Sequence, residues 1–111
     1  MTKIHVKTQE GQVRIVAEGH ANAKRNDDGR DLVCCAISTL LYTLANSLHN
    51  MEGVRTTFET REGEGRAELN AWTNEAAVGY GLHERAQVII DGLEAMAEQY
   101  PQCVQVTVDN C

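Results

Sequence analysis

The chain has 111 residues, of which 42% are hydrophobic and one is proline, and its formal net charge is −6. This size and composition predict one globular domain over residues 1–111 and exclude a disordered chain. The acidic balance argues against direct nucleic-acid binding, which needs clustered Lys and Arg. It suits a basic protein partner through weak electrostatic steering, or simply a solvated acidic surface.

The sequence predicts no membrane segment and no resident metal or cofactor. No apolar run approaches the length that crosses a bilayer, and residues 1–6 alternate instead of forming a signal-peptide core. We therefore expect a cytoplasmic protein whose cysteines, Cys34, Cys35, Cys103 and Cys111, are reduced. Cys34 and Cys35 are adjacent, which is poor geometry for a disulfide. No C-x-x-C or comparable spacing indicates a metal site.

The first half of the chain predicts a β-hairpin, a polar loop and a helix. Residues 3–7 and 13–17 alternate around a turn at Glu10-Gly11. The loop Asn22–Arg30 follows, and from Asp31 to about Asn50 the apolar period becomes helical. The apolar stripe of this helix contains Val33, Ile37, Leu40, Leu41, Leu44 and Leu48.

The two adjacent cysteines fall on different sides of this helix. At about 100° per residue, Cys34 lies on the shoulder of the apolar stripe and Cys35 points almost opposite its centre. The second face comprises Cys35, Thr39, Tyr42 and Asn46. This face is either a homodimer contact or solvated.

The second half predicts another hairpin, a longer helix and a last strand. Residues 54–62 and 66–72 alternate around the turn at residues 63–65, and the helix runs from about Asn74 to Tyr100. Its predicted apolar face contains Val88, Ile89, Leu93, Met96 and Ala97. Gly79 and Gly81 weaken its first turns, where a break is an alternative. Pro101 ends it, and residues 103–108 alternate as a strand.

The element order is therefore β-β-α-β-β-α-β. Short alternating segments separated by two helical ones are typical of an α+β domain. We expect a mostly antiparallel sheet with two helices packed on it, in a single domain.

His20 and Cys34 are the candidate catalytic residues. His20 follows the second predicted strand, and Cys34 lies in the first turn of the first predicted helix. A helix N-terminus and a nearby imidazolium both lower a thiol pKa, and such a thiolate attacks a peptide carbonyl with histidine as base and acid. Backbone N–H groups around Cys34 and Cys35 would hold the oxyanion. The alternative is Cys34 as a small buried hydrophobic residue and His20 as a loop histidine.

Charged residues beside this pair have two interpretations each. Asp31 caps the helix, or its carboxylate orients His20 as the third member of a triad. Lys24, Arg25 and Arg30 form a basic cluster on the loop. They are solvated, or they contact the substrate between base and nucleophile.

The segment around His20 and Cys34 resembles the G-H-A … G-x-D-I-V-C-A-A-V-S signature of the ribosomal-processing cysteine proteases, the Prp or YsxB-like family. The matching residues are 19–21, Gly29 and 31–38. The likeness continues at Thr43-Leu44-Ala45-Asn46 and Gln99-Tyr100-Pro101, so it spans most of the chain with the same element order. Two mild departures are Leu32 and Cys35, where the family usually has isoleucine and alanine.

This resemblance implies a cysteine endopeptidase with Cys34 as nucleophile and His20 as base and acid. The implied substrate is the basic large-subunit ribosomal protein twenty-seven, whose short N-terminal extension is removed by a cut after an aromatic residue. A homodimer and a mobile loop that covers the substrate are also implied. That loop here, Asn22–Arg30, lacks the family's usual glycine-rich, aromatic-containing start, a difference that bears on substrate choice more than on catalysis.

Two other classes of function are consistent with the residues. One is a catalytically silent binding or ribosome-assembly module on the same fold. The other is a thiol redox sensor that uses Cys34 and Cys35. The peptidase hypothesis requires Cys34 and His20, whereas the sensor hypothesis also requires Cys35.

Overall fold

The computed structural model of the protein describes residues 1–20 and 32–110, which form a five-stranded sheet and two helices. The predicted β-β-α-β-β-α-β order is confirmed. A short 3-10 helix, Glu62–Glu64, joins the third and fourth strands. The elements in chain order are β1 (Thr2–Gln9), β2 (Gln12–Glu18), α1 (Leu32–His49), β3 (Arg55–Arg61), β4 (Arg66–Trp72), α2 (Ala76–Gln99) and β5 (Val104–Asn110).

The sheet is mostly antiparallel, as predicted, and its strand order is β3-β4-β2-β1-β5. The pairs β1–β2, β2–β4 and β3–β4 are antiparallel, and β1–β5 is parallel. The parallel pair follows from α2, a 24-residue helix that carries the chain from β4 back across the sheet before β5 begins. Strand order is a non-local property, and local alternation did not reveal it.

The two faces of the sheet differ sharply in polarity. Side chains on one face are buried against α1 and α2 and form the core; among them are Ile4, Val6, Val13, Ile15, Leu69 and Ala71. The opposite face, which we call the open face, carries alternate residues of the same strands. It includes Lys3, Arg14, Glu18, Arg66 and Glu68. This alternation is the period-2 pattern of a sheet covered on one side.

Helix α1 packs one apolar stripe into the core. Its buried residues are Val33, Ile37, Leu41, Leu44 and Leu48. The predicted stripe is confirmed except that Leu40 is half-buried, against Gly92 of α2. By length and composition alone this 18-residue helix would suffice to cross a membrane, contrary to the expectation from the sequence. Its one-sided burial is the pattern of an amphipathic core helix.

Helix α2 is continuous, and one residue of its predicted apolar face is wrong. It runs through Gly79 and Gly81 without a break. Val88 is 70% exposed. At about 100° per residue Val88 lies roughly 140° from the centre of the buried stripe, so its apolar side chain cannot reach the core. The buried residues of α2 are Gly79, Leu82, Ala86, Ile89, Ile90 and Leu93.

Candidate functional site

His20 lies two residues beyond the end of β2, at one end of the sheet. Its side chain is exposed, and its ring lies over Gly65, the residue before β4. A methyl group on Gly65 would lie 2.9 Å from Nε2 and 3.1 Å from Cε1 of the imidazole. The ring edge therefore occupies the space that a side chain at position 65 would need.

The backbone before His20 is held from two sides. The Gly19 N–H donates to the Gly65 carbonyl at 2.8 Å, which extends the β2–β4 ladder beyond the paired residues Glu18 and Arg66. The hydroxyl of Thr2, which is 4% exposed, donates to the Gly19 carbonyl at 3.4 Å. Gly19 has φ +95°, and a methyl group there would run into the Met1 carbonyl oxygen. Only glycine fits this approach of β1 to the end of β2.

Cys34 is the third residue of α1 and lies in its first turn. It is half-buried and packs against the core, as its predicted position on the shoulder of the stripe requires. Cys35 is exposed and shares the outer side of the helix with Thr39, Tyr42 and Asn46, also as predicted. The Thr39 hydroxyl donates to the Cys35 carbonyl at 2.8 Å, an i−4 bond along this outer side.

The topology brings the start of α1 to the end of the sheet that carries His20. The tight connection after α1 leads directly into β3, where the Val54 N–H donates to the Met51 carbonyl at 3.3 Å, so the helix and the strand run in opposite directions. Midway along both, the rings of Tyr42 and Phe58 meet edge to face with centroids 5.0 Å apart.

From that contact, similar distances along α1 and β3 lead to the same end of the sheet. Cys34 lies about 12 Å from Tyr42 along the helix, at 1.5 Å per residue. The end of β3, Arg61, lies about 10 Å beyond Phe58 at 3.3 Å per residue, and the turn that follows reaches Gly65 beneath His20. This path leads from Cys34 in the first turn of α1 to the end of the sheet where His20 lies over Gly65.

Several predicted site residues lie outside the described part of the chain. They are Asp31, proposed to cap α1 or to orient His20, and the basic residues Lys24, Arg25 and Arg30 of the loop Asn22–Arg30. Cys111 also lies outside it. Their predicted roles stay predictions.

A charged network on the open face borders the site. Glu68 accepts hydrogen bonds from Arg66 at 2.9 Å, Arg14 at 3.0 Å and Asn70 at 2.9 Å. These donors, Arg66 first, lower the pKa of the Glu68 carboxyl below its ordinary value. Arg66 also pairs with Glu18, two residues before His20. The network therefore joins the start of β4 to the end of β2, close to His20.

The other thiols and imidazoles are dispersed. Cys103 is half-buried just before β5, and its carbonyl accepts the Thr2 N–H at 2.8 Å. His5 and His49 are exposed, and His83 is half-buried on α2. Within residues 1–20 and 32–110 no three His, Cys, Asp or Glu side chains group in an arrangement that would hold a metal ion.

Gly65 is the site residue that sequence reasoning missed. The pattern identified residues 63–65 as a hairpin turn and nothing more. The contact with His20 depends on the β2–β4 register, which aligns Glu18 with Arg66 and so brings the residues beyond them together. Once that pairing is known, a glycine directly opposite Gly19-His20 is the signal.

Comparison with known proteins identifies both the family and the fold. A family profile described as cysteine protease Prp matches residues 1–105. No curated protein sequence matches the chain.

Solved structures share the fold at low sequence identity. The chain is 18% identical, with a TM-score of 0.76, to the ribosomal processing protease Prp of S. aureus in complex with a covalently linked product peptide; the match covers 98% of this chain and 100% of that one. The same protease with a substrate peptide gives 17% identity and a TM-score of 0.72, with the same coverage. A protein from Streptococcus mutans gives 20% identity and a TM-score of 0.75, covering 100% of this chain and 96% of the other.

Proposed function

Since the chain belongs to the cysteine protease Prp family, we propose that it removes a short N-terminal extension from large-subunit ribosomal protein twenty-seven. Cys34 is the nucleophile and His20 the general base and acid. The observation that supports this assignment is the position of Cys34 in the first turn of α1, the helix whose start the chain topology directs toward the end of β2 that precedes His20. The S. aureus relative, a ribosomal processing protease, supports the choice of substrate class.

The chemistry follows the usual course of a thiol protease. The Cys34 thiolate adds to the scissile carbonyl carbon, and the protonated His20 gives its proton to the leaving amine, so that the C–N bond breaks and a thioester forms. A water molecule deprotonated by His20 then adds to the thioester, and the thiolate leaves. Backbone N–H groups of the first turn of α1 stabilise the oxyanion in both steps, because a helix N-terminus presents N–H dipoles that favour negative charge.

The residues of the loop have supporting roles in this proposal. Asp31 caps α1 or orients His20, and Lys24, Arg25 and Arg30 contact the substrate that the loop covers. An amide at position 31 separates the two roles of Asp31. Asp31→Asn keeps a capping oxygen, so it leaves the cleavage rate unchanged if the role is capping and lowers it if the role is orientation.

The protein acts as a homodimer in the cytoplasm in this proposal. The candidate contact is the outer side of α1, where Tyr42 is 48% exposed and Leu32 is 53% exposed. Light scattering coupled to size exclusion measures the mass of the purified chain. A dimer mass is expected, and a monomer at all accessible concentrations would contradict this part of the proposal.

The function is tested by incubating the purified chain with ribosomal protein twenty-seven that carries its extension and following the products by intact-mass spectrometry. We expect one cut in the extension. Cys34→Ala lowers the rate by about 10³-fold or more and His20→Ala by about 10²- to 10⁴-fold, with the fold retained.

The matched controls are a second thiol and a second imidazole. Cys35→Ala and His5→Ala change residues of the same types on exposed positions, and both should cleave close to the wild-type rate. Undiminished cleavage by Cys34→Ala or His20→Ala would refute the assignment of the residues. Stable binding of the ribosomal protein without any cut would instead indicate the silent binding module.

A further inference from the structure

We propose that Gly65 is a positioning residue for His20. Because Gly65 has no side chain, the edge of the imidazole ring lies directly over it, and this contact fixes the orientation of the His20 ring. The inference rests on the proposed catalytic role of His20. Gly65 has no side chain that could itself take part in the reaction. It acts only through the ring that it supports.

The backbones of the two segments are fixed relative to each other. The hydrogen bond of 2.8 Å from the Gly19 N–H to the Gly65 carbonyl continues the β2–β4 ladder. On the open face, the ion pair of Glu18 with Arg66 joins the residues just inside that bond. The residue before His20 therefore cannot move away from Gly65 without breaking paired strand structure.

The ring is the part that must yield if position 65 gains a side chain. A β-carbon there would lie 2.9 Å from Nε2, 3.1 Å from Cε1 and 3.2 Å from the Gly19 carbonyl oxygen. The Gly19 carbonyl accepts the Thr2 hydroxyl, and the N–H of the same residue is bonded to Gly65. The ring atoms, in contrast, are the outer end of an exposed side chain. The imidazole would therefore rotate away while the sheet stays intact.

A second explanation for glycine at this position is its backbone conformation. Gly65 has φ +63°, which costs most residues energy but which asparagine tolerates. Gly65→Asn accordingly keeps the turn conformation and adds a β-carbon, whereas Gly65→Ala adds the β-carbon and strains the turn. If the ring contact is what matters, both variants displace His20.

The same turn supplies a matched control. Gly63 lies two residues earlier, and a methyl group on it would have nothing within 4 Å. Its φ is not positive. Gly63→Ala thus adds the same atom to the same turn without reaching His20.

The experiment combines cleavage kinetics with NMR of the His20 ring in the full-length chain. The ring signals are assigned by their loss in His20→Ala. We expect Gly65→Ala and Gly65→Asn to lower kcat/KM by about 10- to 100-fold, chiefly through kcat, because a displacement of about 1 Å has effects of that order. Both variants should shift the His20 ring signals in the absence of substrate and alter the pH profile of kcat, while Gly63→Ala matches the wild type.

Three results would overturn the inference. The first is wild-type kinetics in both Gly65 variants, and the second is full activity in Gly65→Asn alone, which would assign glycine to the turn conformation. The third is an altered rate with unchanged His20 ring signals. A wild-type chain that cleaves nothing would reject the proposed function. The NMR measurement needs no substrate, so the His20 ring signals would still report whether Gly65 orients the ring.

Discussion

The two adjacent cysteines lie on different sides of α1 because one residue step turns the helix by about 100°. Cys34 is half-buried against the core, whereas Cys35 is exposed on the outer side of α1. Exposure alone would make Cys35 the more accessible thiol. In our account, proximity to the base and to the positive end of the helix dipole decides reactivity instead.

The response to oxidation distinguishes the protease hypothesis from the hypothesis of a redox sensor that uses two cysteines. We predict that hydrogen peroxide inactivates the wild type and Cys35→Ala at the same rate, and that a reductant restores both equally, because adjacent cysteines are poorly placed to form a disulfide with each other. Residual cleavage after timed exposure measures this. Loss of the oxidation response in Cys35→Ala would favour the sensor; Cys103→Ala is the control for a general effect of thiol loss.

At the scale of elements, α1 is fixed by the apolar stripe that positions its first turn. We predict that Leu41→Ala lowers the free energy of unfolding by about 2–5 kcal/mol, because Leu41 is 1% exposed and its removal leaves a cavity. Val88→Ala on α2 should change it by less than about 0.5 kcal/mol. Urea unfolding followed by circular dichroism measures both, and equal losses would contradict the observed burial of these helices.

The network on the open face predicts a pH dependence of stability. Its donors lower the folded-state pKa of Glu68, so this stabilisation is complete above the ordinary glutamate value, about 4.3, and is lost as the pH falls through the lower folded-state value. Glu68→Gln should therefore be less stable than the wild type by roughly 0.5–1 kcal/mol near neutral pH. The difference should shrink below about pH 4.

Urea unfolding at several pH values checks this prediction. Glu94→Gln is the matched control, because Glu94 is an exposed glutamate on α2, away from the open face of the sheet. A stability difference for Glu68→Gln that grows as the pH falls would show that the sign is wrong.

The sequence predicted the elements well because their signals are local. Alternation and helical period located every strand and helix to within a few residues, and the position of Cys34 on the shoulder of the α1 stripe was correct. The prediction that Val88 is buried was wrong because Val88, Ile89 and Ile90 form a continuous apolar run. The helical period alone did not show which side of this run faces the core. Hairpins were predictable from their turns, whereas the β2–β4 pairing joins residues about fifty positions apart.

For the whole molecule, the placement of α1 antiparallel to β3 decides whether His20 and Cys34 can act together. The sequence contains both residues but not this placement, which depends on strand order and on packing across the core. The contact of Gly65 with His20 was hidden for the same reason. Resemblance to a known family supplied what spacing alone left open.

The overall charge predicts how the chain meets a basic substrate. With 16 acidic against 10 basic residues, it should attract a ribosomal protein through long-range electrostatics that salt screens. We predict that raising salt from about 0.05 to about 0.5 M lowers kcat/KM for the intact protein by roughly tenfold. A short neutral peptide with the same cleavage sequence should be little affected; equal salt effects on both substrates would exclude steering.

The assignment of Cys34 as nucleophile and His20 as base is tested most directly by covalent labelling with a substrate-derived peptide. The measurement identifies the residue to which the peptide becomes attached. A chloromethyl ketone built on the sequence before the cut loses chloride to an attacking thiolate, and mass spectrometry of the digested chain identifies the modified residue. We predict a single adduct on Cys34, formed far more slowly in His20→Ala. An adduct on Cys35 or Cys103, or an unchanged rate in His20→Ala, would contradict it.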